Sequence, residues 1–191
     1  MPDHSDQEIV EKAVGGDMMA FRRLVERHHA FVYKLAFRFV GARGDAEDIT
    51  QESFIRLWKN LNRYRPEIKL TTWLYKIVTN LCLDFLKSTY NRQTKRSVEL
   101  DDHKGAISEW SADQSLLDEE LRAAVEKLTA DFSPKQKAVF VLRDLEDLTM
   151  LEISKILSMS PGKVKSNLYY ARKKMGELII VYYQMKKPAK P

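Results

Sequence analysis

The stretch TMLEISKILSMSPGKVKSNLYYARKK, residues 149–174, decides how the C-terminal part of this chain folds. It carries two helix-start signals in close succession. Thr149 with Glu152 three residues later is a capping-box pattern: the threonine oxygen accepts from the Glu152 amide while the carboxylate reaches back to the Thr149 amide. Ser160 followed by Pro161 is a cap with proline at the first helical position, where no backbone N–H is needed. The spacing predicts one helix ending near Leu157, a turn at Ser158 and Met159, and a second helix from Pro161 to about Tyr183, which is a helix-turn-helix. Ile153, Ile156 and Leu157 can pack on Val164, Leu168 and Ala171. With those inward, the opposite face of the second helix shows Lys163, Lys165, Ser166, Asn167, Tyr169, Tyr170, Arg172 and Lys173. A basic face alone is usually a solvated one. Joined to two capped helices it predicts binding to duplex DNA, with cations on phosphates and short polar groups on base edges. Glycine is common where this turn has Ser158, so a positive φ at some cost, or a differently shaped turn, is expected there.

Upstream, Ser133-Pro134 repeats the cap-then-proline signal and opens a helix carrying Val139, Phe140 and Leu142 to near Asp144. A further helix is expected from Leu116 or Leu117 to about Leu128. Residues 97–117 show no sustained period and are acidic (Glu99, Asp101, Asp102, Glu109, Asp113), which predicts a flexible linker.

The N-terminal part reads as four helices. Ser5 or Asp6 can cap the first, which ends near Val14 ahead of Gly15-Gly16. Asp17 can cap the second, Met18 to Val40, whose stripe is Phe21, Leu24, Val25, Phe31, Val32, Leu35 and Phe39. His28 and His29 lie on it without Cys/His partners at metal spacing. After the turn Gly41–Gly44, Asp45 is expected to cap a third helix to about Leu61, with Asp48, Gln51 and Glu52 on one polar face. Asn62 to Leu70 is a polar loop. Thr71 or Thr72 opens a fourth helix to about Lys87, with Leu74, Ile77, Val78, Leu81 and Phe85 inward and Trp73, Tyr75, Lys76, Thr79, Asn80 and Leu83 on or near the outside. Tyr64, Trp73 and Tyr75 beside Arg63, Arg65, Lys69 and Lys76 make a possible single-strand surface, with bases on rings and backbone on cations; burial of Trp73 in the core is the competing reading. No strand pattern appears. The chain is therefore expected to be all-α: two small helical domains, residues 1–95 and 118–191, joined by a flexible acidic linker, 96–117.

Charge supports this partition. The formal net charge is +5, divided as +4 over residues 1–95, −6 over 96–120 and +7 over 121–191. Cys82 is the single cysteine, so no intrachain disulfide or Cys-rich zinc site is possible, and a buried thiol is expected. The first eight residues are polar and acidic, unlike a signal peptide, and the longest apolar run, 178–183, is too short to span a bilayer. A cytoplasmic protein that is not inserted in a membrane is expected. No Gly-rich phosphate loop, nucleophile–base pair or carboxylate cluster suggests an enzyme, a small-molecule substrate or a cofactor.

Three segments in order resemble one family. DAEDITQESFIRLW at 45–58, TWLYKIVTN at 72–80, and LEISKIL at 151–157 with VKSNLYYARKK at 164–174 are similar to bacterial sigma factors, over about residues 8 to 180. The short two-domain chain looks like the extracytoplasmic function group of the sigma-70 family. The resemblance implies that the protein is a promoter-specificity subunit of RNA polymerase that melts the −10 element and starts transcription. It implies that Asp48, Gln51 and Glu52 dock on the clamp of the largest polymerase subunit, with the flap region of the second subunit also a partner. Tyr64, Arg65, Lys69, Tyr75, Lys76, Thr79 and Asn80 would meet the −10 element. Lys163, Lys165, Ser166, Asn167, Tyr169, Tyr170, Arg172 and Lys173 would meet the −35 element. The linker would thread toward the polymerase active centre, and an anti-sigma protein would hold the factor inactive. Asn167 and Tyr170 replace two arginines of the commoner family form, which implies a different −35 sequence, since Arg favours guanine and Asn adenine. A stand-alone helix-turn-helix regulator is the competing reading.

Overall fold

The computed structural model describes residues 4–65, 67–96 and 132–185. Seven α-helices appear among them: α1 His4–Val14, α2 Met18–Val40, α3 Arg43–Asn60, α4 Leu70–Arg96, α5 Pro134–Phe140, α6 Met150–Leu157 and α7 Pro161–Met185. A 3-10 turn, Leu61–Arg63, follows α3, and a π turn, Val141–Leu145, continues α5. Among the described residues there is no strand. The linker 96–117, apart from its first residue, and the helix expected at 116–128 lie outside the described residues.

The N-terminal half is a four-helix assembly with α2 at its centre, packed on α1, α3 and α4. Asp17 begins α2 as expected, its Oδ1 accepting from the amides of Met19 at 2.9 Å and Ala20 at 3.1 Å. Gly41 ends α2 in the left-handed region, φ 76°, its amide donating back to the Phe37 carbonyl at 2.9 Å. That closure is so short that helix resumes at Arg43. Asp45 therefore lies inside the first turn of α3 and does not cap it; the residue at the cap is Ala42, which makes no side-chain bond. Asp45 still favours the positive end of the helix dipole. Leu24, Val32, Leu35, Phe39, Leu57, Leu74 and Val78 fill the interior. His28 is buried, its Nε2 3.0 Å from Asp6 Oδ2, which ties α1 to α2 and makes it a structural histidine.

The C-terminal half is α5, α6 and α7, with Val139, Leu142, Ile153, Ile156, Val164, Leu168 and Ala171 enclosed between them. Both expected caps form. Ser133 and Gln136 exchange the two bonds of a capping box at 3.0 and 3.3 Å, and Thr149 and Glu152 do so at 2.8 and 3.3 Å. The α5 segment does not stay α-helical to Asp144: its last turn widens into the π turn. This half rests on α4 through α5 and α6. The fourth helix is longer than the sequence pattern indicates, running to Arg96 in place of Lys87.

Candidate nucleic-acid and polymerase interfaces

Helix α7 is seated by the buried stripe Val164, Leu168 and Ala171, as its spacing requires. Ser160 Oγ accepts from the Lys163 amide at 3.4 Å, which starts the helix at Pro161. Ser158 occupies the left-handed region, φ 51° and ψ 45°, and the turn keeps the geometry that glycine usually supplies. The face turned away from α6 carries Lys163, Lys165, Ser166, Tyr169, Tyr170 and Lys173, all exposed. Tyr169 and Tyr170 stand edge to face with ring centres 5.4 Å apart, and they are 64% and 53% exposed. Two adjacent rings this open to water make a small patch of the kind that meets a partner. Two residues of the expected set flank this face and are engaged within the protein. Asn167 Nδ2 donates to the Lys163 carbonyl at 2.8 Å. Arg172 grips Asp144 with two bonds, 3.0 and 2.5 Å, which raise the guanidinium pKa and brace α7 against the π turn.

The second expected surface is divided by the fold. Tyr64 hydroxyl donates to the Ile68 carbonyl at 2.7 Å, and its ring leans on Trp73 at 5.6 Å, so these aromatics shape the loop before α4. Burial and the nearby carboxylates of Asp6 and Glu67 push the Tyr64 hydroxyl pKa up. Arg63, Arg65 and Lys69 on the loop, with Lys76 and Asn80 on α4, are exposed. Tyr75 and Thr79 are not outside. Tyr75 is half-buried against Phe31, ring centres 4.9 Å apart, and its hydroxyl donates to Glu146 at 2.8 Å. Burial and that carboxylate raise the Tyr75 pKa well above its ordinary value. Thr79 is fully buried, and its Oγ1 has no hydrogen-bond partner. Tyr75 thus lies under the C-terminal half, a long-range contact invisible to helical periodicity, and Thr79 follows it one turn along the same side of α4. Cys82 is buried on the same side, and desolvation pushes its thiol pKa up.

The third surface is on α3. Asp48 and Gln51 are exposed and Glu52 is partly so, its carboxylate accepting from Arg56 at 2.9 Å one turn on. Ile55 continues that face, 39% exposed, although the sequence pattern assigns it no place. The signal was there: Ile55 lies four residues after Gln51 and three after Glu52, so an apolar side chain joins a polar stripe. Trp58 borders it, its ring 4.7 Å from that of Phe21.

Comparison with known proteins decides what these surfaces belong to. The Sigma-70 region 2 family matches residues 24–92, and the Sigma-70, region 4 family matches residues 118–175. The ECF RNA polymerase sigma-E factor of Salmonella typhimurium is 33% identical over 174 residues, covering 88% of this chain and 91% of that protein. The chain is a sigma factor of the extracytoplasmic function group. The Escherichia coli K12 sigma-E factor is 32% identical with the same coverage. Among solved structures, CnrH in complex with the cytosolic domain of CnrY shares the fold of this sigma factor at a TM-score of 0.65 and 21% identity, covering 92% of this chain and 97% of that one. Bartonella quintana RpoE, solved with the anti-sigma factor NepR, does so at 0.63 and 19%, covering 84% and 97%.

As a sigma factor the chain binds core RNA polymerase, directs it to promoters, melts the −10 element and initiates transcription; it is a polymerase subunit and not a stand-alone regulator. The region 2 match takes in most of α2 and all of α3, and extends into α4. The region 4 match takes in α5, α6 and the first part of α7, to residue 175. No helix among the described residues is long and apolar enough to cross a membrane. No cluster of three metal-ligating side chains occurs among them either.

Proposed function

We propose that this sigma factor divides its work among three surfaces. The α3 face of Asp48, Gln51, Glu52 and Ile55 docks on the polymerase clamp, polar groups along its first turns and an apolar contact at its C-terminal end. The loop residues Tyr64, Arg65 and Lys69 and the α4 residues Tyr75, Lys76, Thr79 and Asn80 engage the −10 element. Capturing an unstacked base offsets the few kcal/mol that unstacking costs, so melting needs no nucleotide hydrolysis. The α7 residues Lys163, Lys165, Ser166, Tyr169, Tyr170 and Lys173 hold the −35 element. Asn167 reads a base edge once it releases the Lys163 carbonyl, and Arg172 positions the helix. A flap contact by the C-terminal half, and an anti-sigma factor that keeps the protein from polymerase, complete the partners. The protein acts without enzymatic chemistry of its own, on the cytoplasmic side with polymerase.

The observation that carries this division is the pairing of an acidic face on α3 with a basic one on α7, in different halves of the chain. A subunit that must touch both polymerase and DNA needs two such faces. The test is run-off transcription with purified core polymerase on genomic fragments. Wild-type protein is expected to give discrete transcripts. Glu52→Lys should abolish capture of core polymerase with helical content unchanged, and Lys163→Glu with Lys165→Glu should keep capture but lose the transcripts. Capture undiminished in Glu52→Lys would remove the clamp assignment, and transcripts undiminished in the lysine variant would remove the −35 assignment.

A further inference from the structure

Helix α4 has two buried sides. Leu74, Val78 and Leu81 face the N-terminal core. Tyr75, Thr79, Cys82 and Leu86, spaced by four, three and four residues, form a second stripe about a quarter-turn away. Helices α5 and α6 pack on α4, and they meet this stripe at two points: Tyr75 bonds Glu146, and Lys137 of α5 is close enough to Cys82 to act on it electrostatically. The contact centres on one carboxylate. The π turn ends at Leu145, and Asp147 adopts φ 52°, so the chain between them turns Glu146 inward with its side chain only 9% exposed. Glu146 accepts from Arg38 of α2 and, at 2.8 Å, from the Tyr75 hydroxyl. Arg38 also donates to the Leu145 carbonyl at 2.6 Å.

We propose that the C-terminal half is a removable cover over the DNA-facing side of α4, latched by Glu146 to Arg38 and Tyr75. The free factor then holds Tyr75 and Thr79 out of reach until the two halves part. The consequence for melting rests on the assignment of those two residues to the −10 element. Two features mark the contact as one made to be undone. Its anchor is a partly buried ion pair, which fixes geometry more than it stabilises, because desolvation offsets much of the attraction. And the closed state leaves the Thr79 hydroxyl unpaired, a cost that disappears once water or a nucleic-acid acceptor reaches it.

Cys82, the single thiol, reports the opening. Its alkylation by N-ethylmaleimide, read by intact mass, is expected to be about tenfold faster in Glu146→Lys than in wild type, because the rate follows the open population. Small-angle scattering should show a larger radius of gyration, and circular dichroism an unchanged helical content. Arg38→Met, which keeps the aliphatic packing and removes the cation, serves as a second variant should the first fail to fold. Wild-type alkylation rates and radii in a folded variant of either kind would overturn the latch. The consequence is tested separately. Arg38→Cys with Glu146→Cys, in a Cys82→Ser background, is joined by a short bismaleimide and added to core polymerase. The probe is a genomic fragment that yields a run-off transcript with wild type. Polymerase capture should persist, while permanganate reactivity of the −10 thymines falls about tenfold below that of the same protein without the crosslink. Undiminished reactivity, with fast alkylation in the opened variants, would keep the latch and overturn the assignment of Tyr75 and Thr79 to the −10 element.

Discussion

The exposed face of α7 and the covered face of α4, both assigned to promoter DNA in the function proposed above, are prepared for it differently. Helix α7 stands ready, its lysines and both tyrosines in water and its angle braced by Arg172 on Asp144. Helix α4 has Lys76 and Asn80 in water but Tyr75 bonded to the other half of the chain and Thr79 buried one turn on. A duplex-reading surface binds phosphates that are always present, so nothing is lost by leaving it open. A surface that captures unstacked bases has aromatic and hydroxyl groups that would be idle and partly apolar in water. The difference suggests that search and melting are separate steps, the second requiring rearrangement.

The largest effect is expected from inside the C-terminal half. Ile153 is fully buried between α6 and α7. Ile153→Ala should destabilise that half by about 3 kcal/mol. Thermal denaturation would show it, and capture of polymerase through α3 should survive near room temperature while −35 binding fails. Next in size is the electrostatic share of the open face. Removing both lysines in Lys163→Ala with Lys165→Ala should weaken promoter binding by about tenfold at moderate salt and reduce the slope of log affinity against log salt by about 2. Filter binding of holoenzyme at several salt concentrations measures this; an unchanged slope would mean these side chains do not sit on phosphates. Ser158→Gly should act the other way, stabilising the turn by about 1 kcal/mol because glycine tolerates the left-handed backbone there. Denaturant unfolding reads that gain.

The smallest effect is one of pH. The Thr149 hydroxyl and amide both donate to Glu152 and hold its carboxyl below the ordinary value of 4.5. An acid whose pKa is depressed by folding contributes stability that is present above its unfolded value and lost as pH falls through the folded one. Glu152 is largely exposed, so solvent screens most of this. Glu152→Gln keeps the box geometry without the charge, and should melt slightly earlier than wild type at neutral pH, by a few tenths of a kcal/mol. The two proteins should converge in acid well below pH 4, where wild type loses the same charge.

What could be read from the sequence was local. Caps at Asp17, Ser133, Thr149 and Ser160, the stripes of α2 and α7, and the strained serine in the turn follow from neighbours three or four residues apart, and they are where the chain puts them. The start of α3 escaped because Gly41 closes α2 in fewer residues than the turn composition suggests. The partnership of Arg38 with Glu146 spans more than a hundred residues and has no periodic trace, so the burial of Tyr75 and Thr79 could not be anticipated. The same holds for Arg172, whose acid lies on another element. The three interfaces were legible as groups of residue types; which members are free and which are engaged was decided by tertiary contacts.

The π turn at Val141–Leu145 gives chain length a role that composition does not have. A π turn accommodates roughly one residue more than regular α geometry would use over the same rise. Deleting a single residue there would let the helix rewind to regular α geometry and remove the widened turn from which the chain swings Glu146 inward. The contacts that start from this turn, Glu146 with Arg38 and Tyr75 and Asp144 with Arg172, would then be disturbed although those side chains were intact. In this factor the contact between the two halves depends on the residue count of that one segment as well as on its composition.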